Sequence, residues 1–171
     1  STIGVELIGA ARAAKADAEV ILLAAESVIA LGVDSLSVDI NIPPLARMIC
    51  DHFDVPGKMC EELLNALNRK DANTIEKVSG QAAIFLLGLL DAAGPANESL
   101  TKLEKLELPG ESGLLGKRLK EVVGLILEEA PNLNVTIDPA DSRGFEYHTG
   151  ISFALFARNS RVELGIGGRY L

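Results

Sequence analysis

The sequence has few aromatic residues, few histidines and cysteines, and no long uninterrupted apolar segment. Aromatic residues make up 4% of its 171 residues, and it contains two histidines and two cysteines. The longest apolar stretch, residues 20–31, is interrupted by Glu26 and Ser27. It therefore stays below the roughly 18 apolar residues of a membrane span. No basic segment followed by an apolar one opens the chain, so neither secretion nor a membrane partner is predicted.

The scarcity of cysteine and histidine also bears on metal and redox chemistry. Cys50 and Cys60 follow neither the CxxC spacing of redox pairs nor a zinc-ligand pattern. We expect reduced, buried thiols rather than a disulfide or a metal site, and a cytoplasmic location. His148 is separated from the other imidazole, His52, by most of the chain. A pocket-wall or hydrogen-bonded histidine is favoured over a metal ligand or a catalytic base.

Basic residues are also in deficit, and the formal net charge is −8. Binding to nucleic acid requires clustered Lys and Arg, whereas the basic residues of this chain are scattered among carboxylates. The densest basic stretch, residues 117–120, is followed by Glu121 and is typical of the solvated face of a helix. The charge pattern therefore predicts no nucleic-acid partner.

Apolar periodicity predicts strands at both ends of the chain and helices in the middle. Alternating residues predict strands at 4–8 and 35–42. Between them we expect a helix over 17–31 that ends at Gly32, a residue suited to a left-handed cap. Pro43 and Pro44 end the second strand and begin a helix over 45–53. Apolar residues at helical spacing follow in five segments, at 59–67, 74–78, 82–90, 100–106 and 114–129.

The chain then returns to strands, at 135–138, 150–157 and 161–167, with a hairpin turn at residues 159–160. Strands on either side of a helical block predict an α+β fold with a mainly antiparallel sheet. We expect one partial domain over 1–171, in which 1–56 and 131–171 form the sheet portion and 57–130 a helical insertion. A length of 171 residues suits one domain, and the abrupt ends favour a piece excised from a longer protein.

Two motifs flank the predicted strand at 150–157. The first is Arg-Gly-Phe-Glu-Tyr-His-Thr-Gly at residues 143–150, and the second is Gly-Ile-Gly-Gly-Arg-Tyr at residues 165–170. Together they place a guanidinium, two phenols and an imidazole near one end of a sheet. Such groups can hold a small zwitterion with an aromatic or heteroaromatic side chain.

Each motif also has a plainer interpretation. Arg143 and Gly144 could form a turn with a surface arginine, but three of the seven aromatic residues of the chain lie in the two motifs. The glycine cluster is no phosphate loop, because no Lys-Ser/Thr follows it, although its backbone could approach a ligand closely. Glu6 either faces outward or turns into a polar site. No nucleophile elbow or Ser/His/Asp order is present, so no catalytic residue is predicted.

The two motifs resemble the signatures of the histidyl-tRNA synthetase family of class II enzymes, which includes the non-charging regulatory subunits of ATP phosphoribosyltransferase. The first signature reads Arg-Gly-Leu-Asp-Tyr-Tyr-Thr-Gly, and residues 143–150 match five of its eight positions. The second, Gly-Gly-Arg-Tyr-Asp, matches residues 167–170. Residues 4–9 and 17–19 are similar to the segment after motif 2. The resemblance implies a sheet of the class II synthetase type, with residues 57–130 in the place of the insertion domain.

The resemblance also implies a site for histidine. Arg143 would pair with the ligand carboxylate, or with an adenylate phosphate in a synthetase. Glu6 and Tyr170 would face the imidazole, and an acid in that position favours its protonated form. The remaining residues that the resemblance assigns to the pocket are Tyr147, His148, Gly167 and Gly168.

Among the departures from the synthetase pattern, four bear on the site. His148 replaces the second tyrosine of the first signature and Glu146 replaces its aspartate. Leu171 stands where the second signature has aspartate, and Thr2 stands where a synthetase carries a glutamine that contacts the α-amino group. These departures favour a relative released from aminoacylation.

The function implied is that of a non-catalytic regulatory subunit of ATP phosphoribosyltransferase, which senses or helps to sense histidine in histidine biosynthesis. Its partners would be histidine and the short-form catalytic subunit, in a homodimer or hetero-oligomer that needs no cofactor. The alternative is a fragment of a histidyl-tRNA synthetase, which activates histidine with ATP and charges tRNA. A third possibility is a binding module that keeps the fold and has lost the ligand.

Overall fold

The computed structural model describes residues 13–78, 80–158, 160 and 162–170. The strand predicted at 4–8 lies outside this part of the chain. The elements in order are α1 (Ala13–Ala30), β1 (Leu36–Asn41), α2 (Leu45–His52), α3 (Gly57–Asn68), α4 (Ala72–Glu76), α5 (Gln81–Asp91), β2 (Gly94–Pro95), α6 (Ala96–Leu106), α7 (Gly110–Glu129), β3 (Asn134–Asp138), β4 (His148–Ala157) and β5 (Glu163–Tyr170).

The described strands form one five-stranded mixed sheet in the order β2-β3-β1-β4-β5. β1 pairs in parallel with β3 on one side and antiparallel with β4 on the other. The expectation of a mainly antiparallel sheet was therefore wrong at the centre of the fold. The parallel pair arises from the connection between the two strands. The helical segment between β1 and β3 returns the chain to the end of the sheet at which β1 begins, as parallel pairing requires.

The local signals around β1 predicted the structure correctly. Gly32 has φ +98°, the left-handed conformation expected after α1. The period-2 alternation of residues 35–42 predicts that four apolar residues face inward, and all four are buried: Leu36, Val38, Ile40 and Ile42. Pro44 precedes the first residue of α2, as the Pro-Pro signal predicted.

Among the described residues of 57–130, the structure has the helices α3 to α7, as predicted, and one short strand. Gly94 and Pro95 form the short strand β2, which pairs antiparallel with β3 at Ile137 and Thr136. No strand had been expected in this region, since two residues are too few to create an alternating pattern. The helices and the sheet share one hydrophobic cluster, to which α7 contributes Leu119, Val122 and Ile126 and α5 contributes Leu86 and Leu89.

The strand register separates the side chains of the sheet onto two faces. Ile40 of β1 aligns with Phe153 of β4, and Val38 aligns with Leu155. All four are buried in the shared cluster with α1 and α7, so this is the core face. The alternate residues of β1 point to the other face, are half-buried and are polar at Ser37, Asp39 and Asn41.

Cys50 and Cys60 are both buried and free, as expected of reduced core thiols. Burial raises the pKa of the Cys50 thiol far above its ordinary value. Among the helices of the described ranges, none combines the length and apolar character needed to cross a membrane.

Ile40 offers a test of the sheet core. It has 0% exposure on the central strand β1, whereas Ile84 on α5 is 65% exposed. Ile40→Ala should lower the free energy of unfolding by about 2–5 kcal/mol, because a cavity remains between sheet and helices. Ile84→Ala should change it by less than about 0.5 kcal/mol. Urea unfolding followed by circular dichroism measures both, and equal losses would contradict this assignment of the core.

Candidate functional site

The first motif begins in the loop between β3 and β4, residues 139–147, here named the signature loop. The loop folds into tight turns in which the backbone N–H groups of Tyr147 and His148 both donate to the carbonyl of Gly144 at 3.0 Å. Gly144 has φ +83°, and a Cβ placed there would lie 3.1 Å from Cδ2 of His148. Glycine is therefore favoured both by the backbone conformation and by the approach of the imidazole.

Arg143 is held by a neighbour in the same loop. Its Nε donates to Oδ1 of Asp141 at 3.0 Å and its Nη2 donates to Oδ2 at 2.6 Å, which is a bidentate ion pair. The backbone N–H of Arg143 also donates to Asp141 Oδ1 at 3.0 Å. The Arg143 side chain is 76% exposed, whereas that of Asp141 is only 10% exposed. The carboxylate thus lies inside the loop and the guanidinium projects from it.

Burial of Asp141 would by itself raise the pKa of the carboxyl group. The side-chain and backbone hydrogen bonds from Arg143, with its positive charge, outweigh that effect and leave the pKa of Asp141 below its ordinary value. The same hydrogen bond raises the pKa of Arg143. Both members of the pair are therefore charged at neutral pH.

The helical block holds the signature loop in place. Ser142 donates to Oδ1 of Asn68 from both its backbone N–H and its hydroxyl, each at 3.0 Å. Lys70, two residues further along the chain, forms an ion pair with Asp138 at the end of β3. These contacts join the end of α3 to the start of the loop, so the position of Arg143 depends on α3.

Arg143 and Tyr147 line one open cavity between the signature loop and α3. The cavity has a volume of about 410 Å³, and α3 contributes Glu61 and Asn65 to its wall. Tyr147 is exposed. A guanidinium and a phenol in one recess can contact a carboxylate and an aromatic ring.

His148 and Tyr170 form a second group, on the face of the sheet opposite the core. The two residues are register partners on β4 and β5, and their ring centroids are 4.8 Å apart. A Cβ at Gly168 would lie 2.5 Å from Nδ1 of His148. Gly168 therefore makes room for an imidazole that belongs to the protein. Nδ1 of His148 is buried and has no hydrogen-bond partner among the described residues.

The other glycine of the second motif faces the core. A Cβ at Gly167 would lie 2.5 Å from the ring of Phe153. Gly167 and Gly168 both lie in strand β5, which continues to Tyr170, beyond the predicted end at residue 167. Their missing side chains accommodate the rings of neighbouring strand residues on both faces of the sheet.

Arg169 also belongs to the core side and ties β5 to α1. Its Nη2 donates to Oδ1 of Asp17 at 2.9 Å and to the carbonyl of Ala13 at 3.2 Å. Burial raises the pKa of Asp17, although the charge and hydrogen bond of Arg169 oppose this effect. The pair fixes the end of β5 that carries Tyr170.

The structure thus places the predicted site residues in two neighbouring groups. Arg143 and Tyr147 line the cavity beside α3, while His148, Gly168 and Tyr170 cluster on β4 and β5. Gly144 connects the groups, since it lines the cavity and packs against His148. Gly167 is near but faces the core, and Glu6 lies outside the described residues. Ligand binding by these residues stays a prediction.

Sequence reasoning missed three residues that shape this region. Asp141 lies two positions before Arg143, and aspartate often caps a turn at that spacing, so a local signal was present. Asn68 and Lys70 are 74 and 68 residues from their partners, and no pattern in a single sequence indicates such contacts.

The Asp141 pair predicts a dependence of stability on pH. Because folding lowers the pKa of Asp141 below the ordinary value of 3.8, the unfolded state takes up this proton at higher pH than the folded state. The resulting stabilisation is present above the ordinary pKa and is lost as the pH falls through the folded value. As the pH is lowered below about 4, the free energy of unfolding should therefore fall less for Asp141→Asn than for the wild type, as measured by urea unfolding. Parallel pH curves would contradict the ion pair.

Gly168→Ala tests the packing of His148 against β5. The added methyl group would overlap the imidazole at 2.5 Å and approach Cβ of Ser152 at 3.1 Å. We expect a loss of about 1–3 kcal/mol in unfolding free energy and faster amide exchange in β4 and β5. Gly124→Ala is the matched control, because a Cβ on that α7 residue meets nothing within 4 Å. An unchanged stability for Gly168→Ala would show that the ring lies elsewhere.

Sequence relatives of the chain carry two kinds of name. It is 44% identical to an ATP phosphoribosyltransferase regulatory subunit of Paramagnetospirillum magneticum and 43% identical to one of Gluconobacter oxydans, with 98% and 100% of the chain covered. A histidine–tRNA ligase of Thermococcus kodakarensis is 33% identical over 98% of the chain. The chain spans 44%, 45% and 40% of these relatives, respectively.

Solved structures show the same fold at lower identity. An ATP phosphoribosyltransferase regulatory subunit/histidyl-tRNA synthetase from Bacillus halodurans gives a TM-score of 0.82 at 20% identity, covering 96% of this chain and 44% of that one. The ATP phosphoribosyl transferase (HisG:HisZ) complex from Thermotoga maritima gives 0.74 at 20%, covering 94% and 57%. A family model described as Histidyl-tRNA synthetase matches residues 1–171. The chain therefore belongs to the histidyl-tRNA synthetase family.

Proposed function

We propose that the chain is part of a regulatory subunit of ATP phosphoribosyltransferase in histidine biosynthesis. The main support is its 40–44% identity, across nearly its whole length, to four proteins that carry this name. The relative named histidine–tRNA ligase is less similar, at 33%. The chain would be one partial domain, 1–171, of a longer cytoplasmic protein.

In this proposal the role of the site is to bind histidine, with no catalytic residue and no cofactor. Arg143 projects into an open cavity, where its guanidinium can meet a carboxylate. The imidazole of His148 packs against Tyr170 and would form a wall of the site. Tyr147, Tyr170 and the backbone of Gly168 would complete the pocket, together with Glu6.

Regulation requires a second protein and two states with different affinities for histidine. The proposed partner is the short-form catalytic subunit, because one solved structure with this fold is a complex named ATP phosphoribosyl transferase (HisG:HisZ). Histidine would inhibit by favouring one assembly state over the other. A homodimer of the regulatory subunit, or a hetero-oligomer with the catalytic subunit, would provide these states.

The alternative is a segment of a histidyl-tRNA synthetase, as the family and the 33% identical relative allow. The residue types at two site positions favour the regulatory subunit. His148 packs against Tyr170 where the synthetase signature has a tyrosine, and Glu146 replaces an aspartate.

The proposal predicts histidine binding by the full-length protein that depends on Arg143. Titration calorimetry, with and without the catalytic subunit, should show different affinities in the two states. Arg143→Ala should weaken binding about tenfold or more, since a charge-assisted hydrogen bond contributes about 1.5–3 kcal/mol. The control is Arg158→Ala, which removes an exposed arginine after β4.

Three outcomes would contradict the proposal. A folded protein that binds no histidine in either state has no sensor role. Histidine-dependent exchange of pyrophosphate into ATP by the full-length protein would establish the synthetase instead. If Arg143→Ala leaves both stability and every response to histidine unchanged, the chain is a binding module that has lost its ligand.

A further inference from the structure

The guanidinium of Arg143 is already occupied along one edge. Asp141 accepts from Nε and from Nη2, which is the side-on geometry that an incoming carboxylate would also use. A guanidinium has five N–H groups, and the remaining donors lie at its outer end. A ligand carboxylate can therefore reach Arg143 only at that outer edge, next to a carboxylate of the protein.

Hydrogen bonds and burial fix the position of the Asp141 carboxylate. Its Oδ1 also accepts from the backbone N–H of Arg143, and the side chain is 10% exposed. The residue that follows, Ser142, is fixed to α3 because its backbone N–H and its hydroxyl both donate to Oδ1 of Asn68. The Asp141 carboxylate therefore belongs to the interior of the signature loop, beside the guanidinium of Arg143.

The charge around Arg143 has a direct consequence for anionic ligands. Asp141 cancels the positive charge of Arg143, and the cavity wall also carries Glu61 and Glu146. A ligand carboxylate at the outer edge would lie roughly 6 Å from the Asp141 carboxylate. At an effective dielectric constant of about 40, the repulsion at that distance corresponds to about a tenfold loss of affinity.

We propose that Asp141 sets the affinity of this site for carboxylate ligands by occupying Arg143 and keeping that affinity low. The inference rests on the proposed histidine site and adds a specificity-determining residue to it. A weakened site releases histidine readily, and a sensor needs this property if it is to respond to changes in concentration rather than remain saturated.

Asp141→Asn in the full-length protein tests the proposal. The amide keeps an oxygen that can accept from the backbone and from Nε of Arg143, while the negative charge is lost. Titration calorimetry with histidine should show binding about tenfold tighter than in the wild type. The matched control is Asp71→Asn, which removes the same charge from another aspartate that caps a turn and lies near an arginine, Arg69.

An unchanged or weaker affinity in folded Asp141→Asn would overturn the proposal, because Asp141 would then only orient Arg143. An equal gain in Asp71→Asn would also overturn it, since the effect would reflect net charge alone. The proposed histidine site fails separately, if neither the wild type nor Asp141→Asn binds histidine.

A chemical readout decides the Asp141 inference even in that case. Phenylglyoxal modifies guanidinium groups, and mass spectrometry can follow Arg143 and Arg69 in one sample. Arg143 is the more exposed, at 76% against 63%, but Arg69 approaches its aspartate only to 3.8 Å. Arg143 should react several-fold more slowly than Arg69 in the wild type and lose that protection in Asp141→Asn. Faster reaction at Arg143 in the wild type would show that the guanidinium is free.

Discussion

Two parallel neighbours in a sheet cannot be joined by a tight turn, and β1 and β3 are such neighbours. The chain must leave the carboxyl end of β1 and return to the opposite end of the sheet before β3 begins. Helices α2 to α7 occupy this path, and their apolar sides meet the core face of the sheet in one cluster. The crossover also brings the end of α3 against the loop that follows β3, where the candidate ligand-binding residues begin.

A single sequence reveals local features, such as strand alternation and helix ends, but it does not reveal which strands pair. The alternation in β1 indicated which residues are buried, and Gly32 indicated where α1 ends, because both signals depend only on neighbouring residues. The parallel partner of β1 could not be read in the same way, since Ser37 pairs with Asn134 across 97 positions. The two-residue strand β2 was missed because it is too short to have a period.

The candidate site shows the same division. At the start of β4 the imidazole of His148 lies against the ring of Tyr170. The roles of the glycines could not be foreseen, since whether a glycine admits a ligand or a neighbouring ring depends on the strand pairing. Here Gly168 admits His148 and Gly167 admits Phe153. The partner of Arg143 was close in sequence, but an aspartate at that spacing can equally cap a turn without touching the arginine.

The two hydrogen bonds from Ser142 to Asn68 have a mechanical consequence. Asn68 is the last residue of α3, and Lys70, two residues later, forms an ion pair with Asp138. The position of Arg143 therefore depends on the C-terminal end of α3, a helix of twelve residues. The geometry of the recess around Arg143 therefore depends on the position of α3 as well as on the residues of the loop itself.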